Sequence, residues 1–392
     1  MIEKIKLLAS EMKPMLSEIR RHLHKNPEIS FFEFKTGRYI ADILKKWGIE
    51  FKDGVAGTGV SAKIYGKDPE SRTIALRADI DALPIMEVND CDYKSQNDGV
   101  MHACGHDAHT ASLLGTAYIL HKLREEWSGT IQLIFQPGEE KLPGGASLVL
   151  SEGWLNNPKP AYMLGQHVEA DMEVGKIGLR SGIFMASADE IYITVKGIGG
   201  HGARPNLCID SILLASNLIV SLQQIVSRRA DPIMPSVLTF GKIHSNGGAT
   251  NIIPTEVLIE GTFRSFNEKW RFEAHKMIKE MSEMLCSAMG GSCEVRIEVG
   301  YPFLKNNDIL TAEVKKAAQL YLGNENVLEL PPRMGAEDFA FYSQAMPTSF
   351  YRLGTKNPNG TGLHTPSFDI DENALEIGAG LMAWLAIRDL GK

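Results

Sequence analysis

Apolar residues in the first half of the chain recur alternately at helical spacing and in short continuous runs. Helical periodicity covers residues 2–25, 33–47, 108–127 and 144–152. Strand-like apolar runs cover residues 59–65, 73–80, 130–136 and 161–167. Strands that alternate with helices in this way predict an α/β fold, in which a largely parallel sheet is covered by helices.

The pattern changes near Gly182. Segments of strand, helix, strand, strand, helix and strand character follow at 187–197, 206–228, 236–244, 255–265, 267–289 and 292–299. This β-α-β-β-α-β order is the split βαβ arrangement, a compact two-layer module. A helical segment at 307–322 then resumes the earlier pattern. We therefore predict one domain formed by residues 1–183 and 300–392, with a second domain, 184–299, inserted into it.

The composition, with 44% hydrophobic and 23% charged residues, is that of an ordinary globular protein. A formal net charge of −7 argues against nucleic acid or an anionic membrane as the main partner, because both attract basic surfaces. The charged N-terminus lacks a secretory signal pattern, and no run approaches the roughly 20 apolar residues of a membrane span. Five cysteines without a Cys-x-x-Cys pair favour a reduced, cytoplasmic protein.

Five metal-competent side chains stand in the stretch that leads into the helical segment 108–127. They are His102, Cys104, His106, Asp107 and His109. A thiolate and imidazoles on adjacent turns suit a borderline-soft divalent ion. The alternative is a polar loop at a helix N-terminus, where the helix dipole favours an acid such as Asp107.

Further candidate groups follow strands or lie in polar loops. They are Asp79, Asp81, Glu139, Glu140, His167 and His364. Two ions about 3.5–4 Å apart need a shared ligand, and a thiolate is a reasonable one. The remaining groups are too few to saturate two ions, so water or substrate would complete the coordination, as in a catalytic site. We assign Glu140 as a metal ligand and its neighbour Glu139 as the general base.

Asp79 and Asp81 share one face of a predicted strand because they lie two residues apart. They are candidates for supporting the site. A salt bridge to Arg77 or a turn cap explains them equally well.

Several of these motifs resemble one known family. They are Arg-Ala-Asp-Ile-Asp-Ala-Leu-Pro, Met-His-Ala-Cys-Gly-His-Asp, Pro-Gly-Glu-Glu, the strand-end His167 and Leu-His-Thr-Pro-Ser-Phe. The chain resembles the M20 metallopeptidases from about residue 15 onward, and within them the amidohydrolase branch of hippurate hydrolase, N-acyl-amino-acid deacylases and auxin-conjugate hydrolases. The resemblance implies a zinc-peptidase-like α/β/α catalytic domain with an inserted ferredoxin-like lid that also mediates dimerisation.

The resemblance also implies a ligand set for two divalent ions. Cys104 bridges the ions, and the remaining ligands are His106, Glu140, His167 and His364. Manganese or zinc is expected, with nickel or cobalt as further candidates. Most M20 enzymes carry His-x-Asp where this chain has Asp79-Ile-Asp81, so the resemblance gives these two aspartates no ligand role and we expect them to support the ligands.

The inserted domain gains candidate residues from the same resemblance. His201, in the segment 199–205, matches a lid histidine that holds the scissile carbonyl or its oxyanion, often in the neighbouring subunit. Asn251 and Arg264 match positions that grip the free α-carboxylate of a substrate, and Gly335 completes the expected substrate-binding set. The alternative for Arg264 is a salt bridge within the lid.

We therefore expect a homodimeric hydrolase that cleaves N-acyl-amino acids to a carboxylate and a free amino acid. The resemblance implies attack by a metal-bound hydroxide, with Glu139 as general base and His201 on the oxyanion. A dipeptidase or carboxypeptidase of the same fold is the alternative activity. A non-catalytic, metal-stabilised binding protein is a third possibility, against which the retained Glu139 argues.

Two other enzyme classes are disfavoured by the sequence. Gly197, Gly199 and Gly202 satisfy the bare dinucleotide pattern after a strand, but no acid lies between Asp210 and Asp231 to bind a ribose. A Gly-x-Ser-x-Gly elbow of a serine hydrolase is absent from the sequence.

Overall fold

A computed structural model describes residues 1–388 of the chain. Its α-helices are α1 (Ile2–Lys25), α2 (Phe34–Lys46), α3 (His106–Lys122), α4 (Gly145–Ser151), α5 (Ser211–Gln224), α6 (Glu268–Ala288), α7 (Asp308–Leu322), α8 (Ala340–Ala345) and α9 (Asn373–Ile387). None of the helices within residues 1–388 combines the length and apolarity that a membrane crossing requires.

The β-strands alternate with these helices. In chain order they are β1 (Glu50–Val55), β2 (Gly59–Tyr65), β3 (Thr73–Asp79), β4 (Thr130–Gln136), β5 (Met163–Glu169), β6 (Ile177–Leu179), β7 (Gly182–Met185), β8 (Asp189–Lys196), β9 (Gly200–His201), β10 (Ser236–Ser245), β11 (Ile252–Ile253), β12 (Glu256–Ser265), β13 (Ser292–Val299), β14 (Leu304–Asn306), β15 (Val327–Glu329) and β16 (Thr348–Gly354).

The chain divides into two compact units. The first contains Met1–Phe184, Lys305–Pro331 and the chain from Asp338 onward, and the second contains Met185–Leu304 with Pro332–Glu337. The segment Pro332–Glu337 belongs to the second unit. The sequence pattern instead predicts that everything after residue 300 belongs to the first domain. The physical basis of this difference is backbone pairing, because the Ala186 N–H donates to the carbonyls of both Arg333 and Gly335.

The first unit is built on an eight-stranded mixed sheet in the order β1-β2-β4-β3-β5-β16-β6-β15. The central strands β4, β3, β5 and β16 run parallel, while β2 and β6 join them antiparallel. The prediction of a largely parallel sheet therefore holds at the centre and fails at the edges. Strands β1 and β2 form an antiparallel hairpin, which needs no helical crossover.

Helix α3 packs against both α1 and α9 and is buried around almost its whole circumference. A Cβ atom at Gly115 would come within 2.8 Å of both Leu16 and Ala379, so the three helices approach closely there. The helix begins at His106, two residues before the predicted start, because Gly105 precedes it in the left-handed region at φ 81°. This packing fixes the N-terminal turn that carries the metal-competent stretch.

The second unit contains a four-stranded antiparallel sheet in the order β10-β12-β8-β13, with element order β-α-β-β-α-β. Its core joins sheet residues such as Ile193 to helix residues such as Leu218 and Ile278. The single helix predicted over 206–228 is shorter, since α5 starts only after Asp210. That carboxylate accepts hydrogen bonds from the Ile212 and Leu213 N–H groups and caps the helix.

Candidate metal centre

The carboxyl edge of the central parallel strands brings the candidate groups of the first unit together. Asp79 ends β3, and Gln136 ends β4 in register with it. Glu139 and Glu140 follow β4 within four residues, and His167 lies near the end of β5. Parallel strands end at the same edge of a sheet, which is where open α/β folds carry their chemistry.

Two triads of potential metal ligands meet at Cys104. The ligand atoms of Cys104, His106 and His167 lie within 4.8 Å of one another, and so do those of Cys104, Glu140 and His364. The Cys104 Sγ atom is 3.4 Å from His167 Nε2 and 3.3 Å from His364 Nε2. The His364 Nε2 atom is in turn 3.2 Å from Glu140 Oε1. The thiol is the one side chain that these two triads share.

The histidine rings present their Nε2 lone pairs to this cluster. His167 donates its Nδ1–H to the Val168 carbonyl at 2.7 Å, which leaves Nε2 as the acceptor facing Cys104. His106 Nδ1 lies 3.0 Å from the Asp81 carbonyl and 3.1 Å from its Oδ1. Within residues 1–388 the buried Nε2 of His106 makes no hydrogen bond, and the Oδ2 atom of Asp79 lies 3.6 Å from it. A buried acceptor left unpaired is destabilising, and a cation in the cluster would satisfy it.

His364 forms the open side of the cluster. Its side chain is 53% exposed, whereas Cys104 is only 6% exposed. Its backbone stands in the left-handed region at φ 61°, and its N–H donates to the Ala103 carbonyl at 2.8 Å. Such strain in a non-glycine residue persists only where the surroundings hold it. The cluster therefore combines a buried floor with one solvent-facing wall, which suits a site that admits water and substrate.

The electrostatics of the cluster favour a bound cation. Burial raises the pKa of the Cys104 thiol, and the charge of Glu140 raises it further. Hydrogen bonding to Cys104 and to Glu140 raises the pKa of His364 to about 10. The negative charge of Glu140 contributes to both shifts, and a divalent ion would oppose them by favouring thiolate and neutral imidazole. The donor set fits a borderline divalent metal.

Asp79 and Asp81 stand behind the histidines. Burial opposes ionisation of Asp79, but the charges of Arg77 and His106 outweigh it and hold its pKa well below the usual range. Asp79 accepts from Arg77 at 2.7 Å, as the salt-bridge alternative required, and also from His109 at 2.5 Å. Asp81 contacts His106, so both aspartates touch histidines of the stretch.

Three of the five metal-competent residues between 102 and 109 do not belong to the two triads at Cys104. His109 Nε2 accepts the Val168 N–H at 2.8 Å, so its Nδ1–H donates to Asp79 and neither nitrogen is free. Asp107 accepts from Arg20 Nε at 2.8 Å within the buried interior. His102 is buried, its ring nitrogens have no partner within residues 1–388, and burial lowers its pKa to about 4.

Sequence reasoning missed a buried network around Asp107. Its partners are Arg20 and His24, and His24 lies 3.1 Å from Glu87. Burial opposes ionisation of Asp107, yet Arg20 and His24 hold its pKa far below the usual range. Periodicity marks Arg20 and His24 only as polar residues on a helix, because their partners lie 63 residues or more along the chain.

A second missed group supports the loop after β4. Asp338 accepts from Arg77 and from Gln136 Nε2, each at 2.7 Å, and from the Ala146 N–H at 2.9 Å. Its own N–H lies 3.4 Å from Glu139 Oε1. Asp338 thus ties the ends of β3 and β4 together beside Glu139. The acidic pair Glu337-Asp338 is visible in the sequence, but nothing in the sequence indicates that Asp338 pairs with Arg77.

The remaining predicted residues lie in the second unit. His201 in β9 pairs with Ile252 in β11, and Asn251 immediately precedes that strand. His201 Nδ1 accepts from the Ala203 N–H, and the Asn251 carbonyl accepts from Gly202 N–H. These contacts bring His201 and Asn251 onto neighbouring backbone segments.

Arg264 and Gly335 occupy other parts of the same unit. Arg264 on β12 donates Nε–H to Thr262 Oγ1 at 3.1 Å, and burial lowers its pKa. Within the described part of the chain, no carboxylate lies at ion-pair distance from Arg264, so the alternative of a lid salt bridge is not found. The exposed Gly335 accepts from the Ala186 N–H through its carbonyl.

The mixed α/β fold carries a cysteine-histidine-carboxylate cluster at its sheet edge that could hold metal ions, and this places the chain with α/β proteins of metal-binding type. The chain belongs to Peptidase family M20/M25/M40, whose model matches residues 75–388. This finding confirms the family predicted from the motifs.

Relatives and solved structures cover nearly the whole chain. A thermostable carboxypeptidase 2 of Saccharolobus solfataricus is 39% identical over 99% of this chain and 98% of its own length. An N-acetyl-L-cysteine deacetylase of Bacillus subtilis is 41% identical over 93% of this chain and 86% of its own. The crystal structure of a Bacillus subtilis dinuclear metal binding peptidase from the M20 family superposes with a TM-score of 0.82 at 35% identity, covering 97% and 99% of the two chains. The chain is therefore an M20 hydrolase of amide or peptide bonds.

Proposed function

We propose that this protein hydrolyses N-acyl-amino acids to a carboxylate and a free amino acid with the help of two divalent ions. The observation that carries the proposal is the pair of ligand triads that share the Cys104 thiol. A shared anionic ligand is what two closely spaced ions need, and manganese and zinc both accept this donor set. The ligands are Cys104, His106, Glu140, His167 and His364.

When bound, such ions lower the pKa of water to roughly 7 and polarise the amide carbonyl. Glu139 then takes the proton of the attacking water and passes it to the leaving nitrogen. Its position supports this role, because it is only 7% exposed and immediately precedes the ligand Glu140. The Asp338 N–H orients the Glu139 carboxylate, which stays able to accept a proton.

The second unit acts as a lid in this proposal. His201 donates to the developing oxyanion, and Asn251, Arg264 and Gly335 hold the substrate carboxylate. The half-buried guanidinium of Arg264 supports that role, since no carboxylate of residues 1–388 pairs with it. The ferredoxin-like classification of the second unit rests on the observed β-α-β-β-α-β order.

A second copy of the chain is the proposed partner of the lid unit. The outer face of α5 exposes Leu213 and Val220, at 54% and 72%. Strand β10 lies at an edge of its sheet, with one side unpaired in the described chain. Unpaired edges and apolar helix faces are regions that proteins cover by association. The family resemblance further implies that His201 of one copy serves the site of the neighbouring subunit.

A carboxypeptidase or dipeptidase activity is the second candidate, and the name of the Saccharolobus relative favours it. Both substrate classes end in a free carboxylate and differ at the other side of the amide bond. A dipeptide carries a charged amine there, whereas an N-acyl-amino acid carries an uncharged acyl group. The name of the Bacillus deacetylase favours the acyl substrate.

Hydrolysis of a matched panel tests the proposal. We expect kcat/KM for N-acetyl- and N-benzoyl-amino acids to exceed that for dipeptides with the same C-terminal residue by at least about tenfold, or 1.36 kcal/mol. Release of the free amino acid is the measurement, with manganese or zinc supplied. A preference for dipeptides would favour the peptidase alternative. If no panel member is hydrolysed, the alternative of a non-catalytic, metal-stabilised binding protein is favoured.

A further inference from the structure

Glu33 is fully buried, and the proposed mechanism gives its carboxyl group no role. Its Oε1 accepts from the N–H groups of Phe31 and Gly138, each at 2.9 Å. Its Oε2 accepts from Thr58 Oγ1 at 2.6 Å. Gly138 immediately precedes Glu139 and Glu140, so the carboxyl group of Glu33 holds the backbone of the loop that carries the proposed base and ligand.

The loop is held at each of three consecutive residues. Gly138 donates its N–H to Glu33, Glu139 Oε1 lies 3.4 Å from the Asp338 N–H, and the Glu140 N–H donates to Asp81 Oδ2 at 2.9 Å. The Gly138 carbonyl accepts from the Gly145 N–H at 3.0 Å. Of these contacts, only the one to Glu33 joins the loop to the segment between α1 and α2.

The segment around Glu33 contains a strained backbone position beside the loop. Phe31 stands in the left-handed region at φ 68°, although it is not a glycine. A Cβ atom at Gly138 would lie 2.3 Å from the Phe31 ring, so the ring covers this glycine closely. Gly138 itself has φ 64°. The Glu33 carboxyl group joins these two unusual backbone positions by accepting from both N–H groups, which is the support that such strain requires.

We infer that Glu33 is a positioning residue, whose buried carboxyl oxygen fixes the Gly138 N–H and thereby aims Glu139 and Glu140 at the metal cluster. The inference rests on the proposed function, because it gives those two residues their roles. Glu33 acts as a hydrogen-bond acceptor rather than as a charge. In support, burial and the neighbouring charge of Asp81 raise the pKa of Glu33 to about 7.

An acceptor role has a distinct mutational signature. Glu33→Gln keeps an oxygen for both N–H donors, and its amide can donate to the Thr58 hydroxyl, so kcat should stay within about threefold of wild type. Glu33→Ala removes the acceptor, and kcat should fall by at least about tenfold, since small misplacements of catalytic groups cost up to about 10²-fold. KM should change less than threefold, roughly, because no substrate contact is removed.

Glu28→Ala is the matched control. The Glu28 carboxylate lies in the same segment and accepts from the Lys35 N–H, the Thr36 N–H and the Thr36 hydroxyl. Its loss removes three hydrogen bonds at the start of α2 but none from the loop. We expect Glu28→Ala to lower the melting temperature with kcat unchanged.

Amide hydrogen exchange of a peptide covering residues 137–141 reads the loop without any substrate. We expect faster exchange in Glu33→Ala and wild-type exchange in both Glu33→Gln and Glu28→Ala. Wild-type exchange and kcat in Glu33→Ala would overturn the inference, and so would a Glu33→Gln protein as impaired as Glu33→Ala. If Glu33→Ala does not fold, a tenfold loss of kcat or faster exchange in Glu33→Gln overturns it. A wild-type protein that is inert on all amides contradicts the proposed function, while the exchange result still decides on Glu33.

Discussion

Glu139→Gln is expected to lower kcat by about 10³-fold, within the range that a general base contributes. The amide of glutamine cannot take a proton from water near neutral pH. Its carbonyl oxygen can still face the Asp338 N–H, which lies 3.4 Å from the present Oε1, so the loop should keep its shape. Steady-state hydrolysis of the best panel substrate is the measurement, together with the metal content of the variant.

The metal content separates loss of the base from loss of the site. Glu139→Gln should keep the ions of the wild-type protein, because Glu140 and the other proposed ligands are unchanged. Glu152→Gln is the matched control, since that carboxylate accepts from the Ala56 N–H and Trp154 Nε1 outside the cluster. A loss of less than tenfold in Glu139→Gln would contradict its role as the base and favour a different base.

Cys104→Ala is expected to abolish tight binding of both ions and to lower hydrolysis by at least about 10³-fold. The thiol belongs to both ligand triads, so its removal takes one donor from each proposed ion. Metal ions contribute several kcal/mol to charge stabilisation during amide hydrolysis, and each 1.36 kcal/mol is a factor of ten in rate. Elemental analysis after dialysis and turnover of the same sample provide the two measurements.

Two further substitutions make this prediction specific. Cys104→Asp restores an anionic ligand of similar reach and should recover part of the metal content. Cys91→Ala removes a partly exposed thiol outside the cluster and should behave as wild type. Two retained ions in Cys104→Ala, with wild-type turnover, would exclude the thiol as the shared ligand.

The parts of the fold that follow a regular pattern were predictable from the sequence. Helix α1 has the predicted bounds, 2–25, because its apolar residues keep helical spacing until Asn26-Pro27 stops it. Strand β1 was missed because Glu50–Val55 is largely charged and exposed, and only its pairing with β2 makes it a strand. Strand β16 was missed although it is central, because a short apolar run between polar loops has no distinctive period.

Two of the proposed ligands could be placed from the ends of the central parallel strands, whereas the family resemblance supplied Cys104, His106 and His364. Side chains at such strand ends converge whatever the details of packing, which is why Glu140 and His167 were placeable. The supporting groups were not placeable, because no local rule links Glu33 to Gly138, 105 residues away, or Arg77 to Asp338, 261 residues away. Those pairs depend on how separate segments pack.

Metal analysis combined with chelation shows whether hydrolysis depends on two ions at the Cys104 cluster. We expect about two divalent ions per chain in protein purified with manganese or zinc, because two ligand triads share one thiol. Removing them with a chelator should abolish release of the amino acid from an N-acyl-amino acid, and adding the metal back should restore it. A metal-free protein with full hydrolytic activity would contradict the two-metal mechanism, as would a fully loaded protein inert on every amide tested.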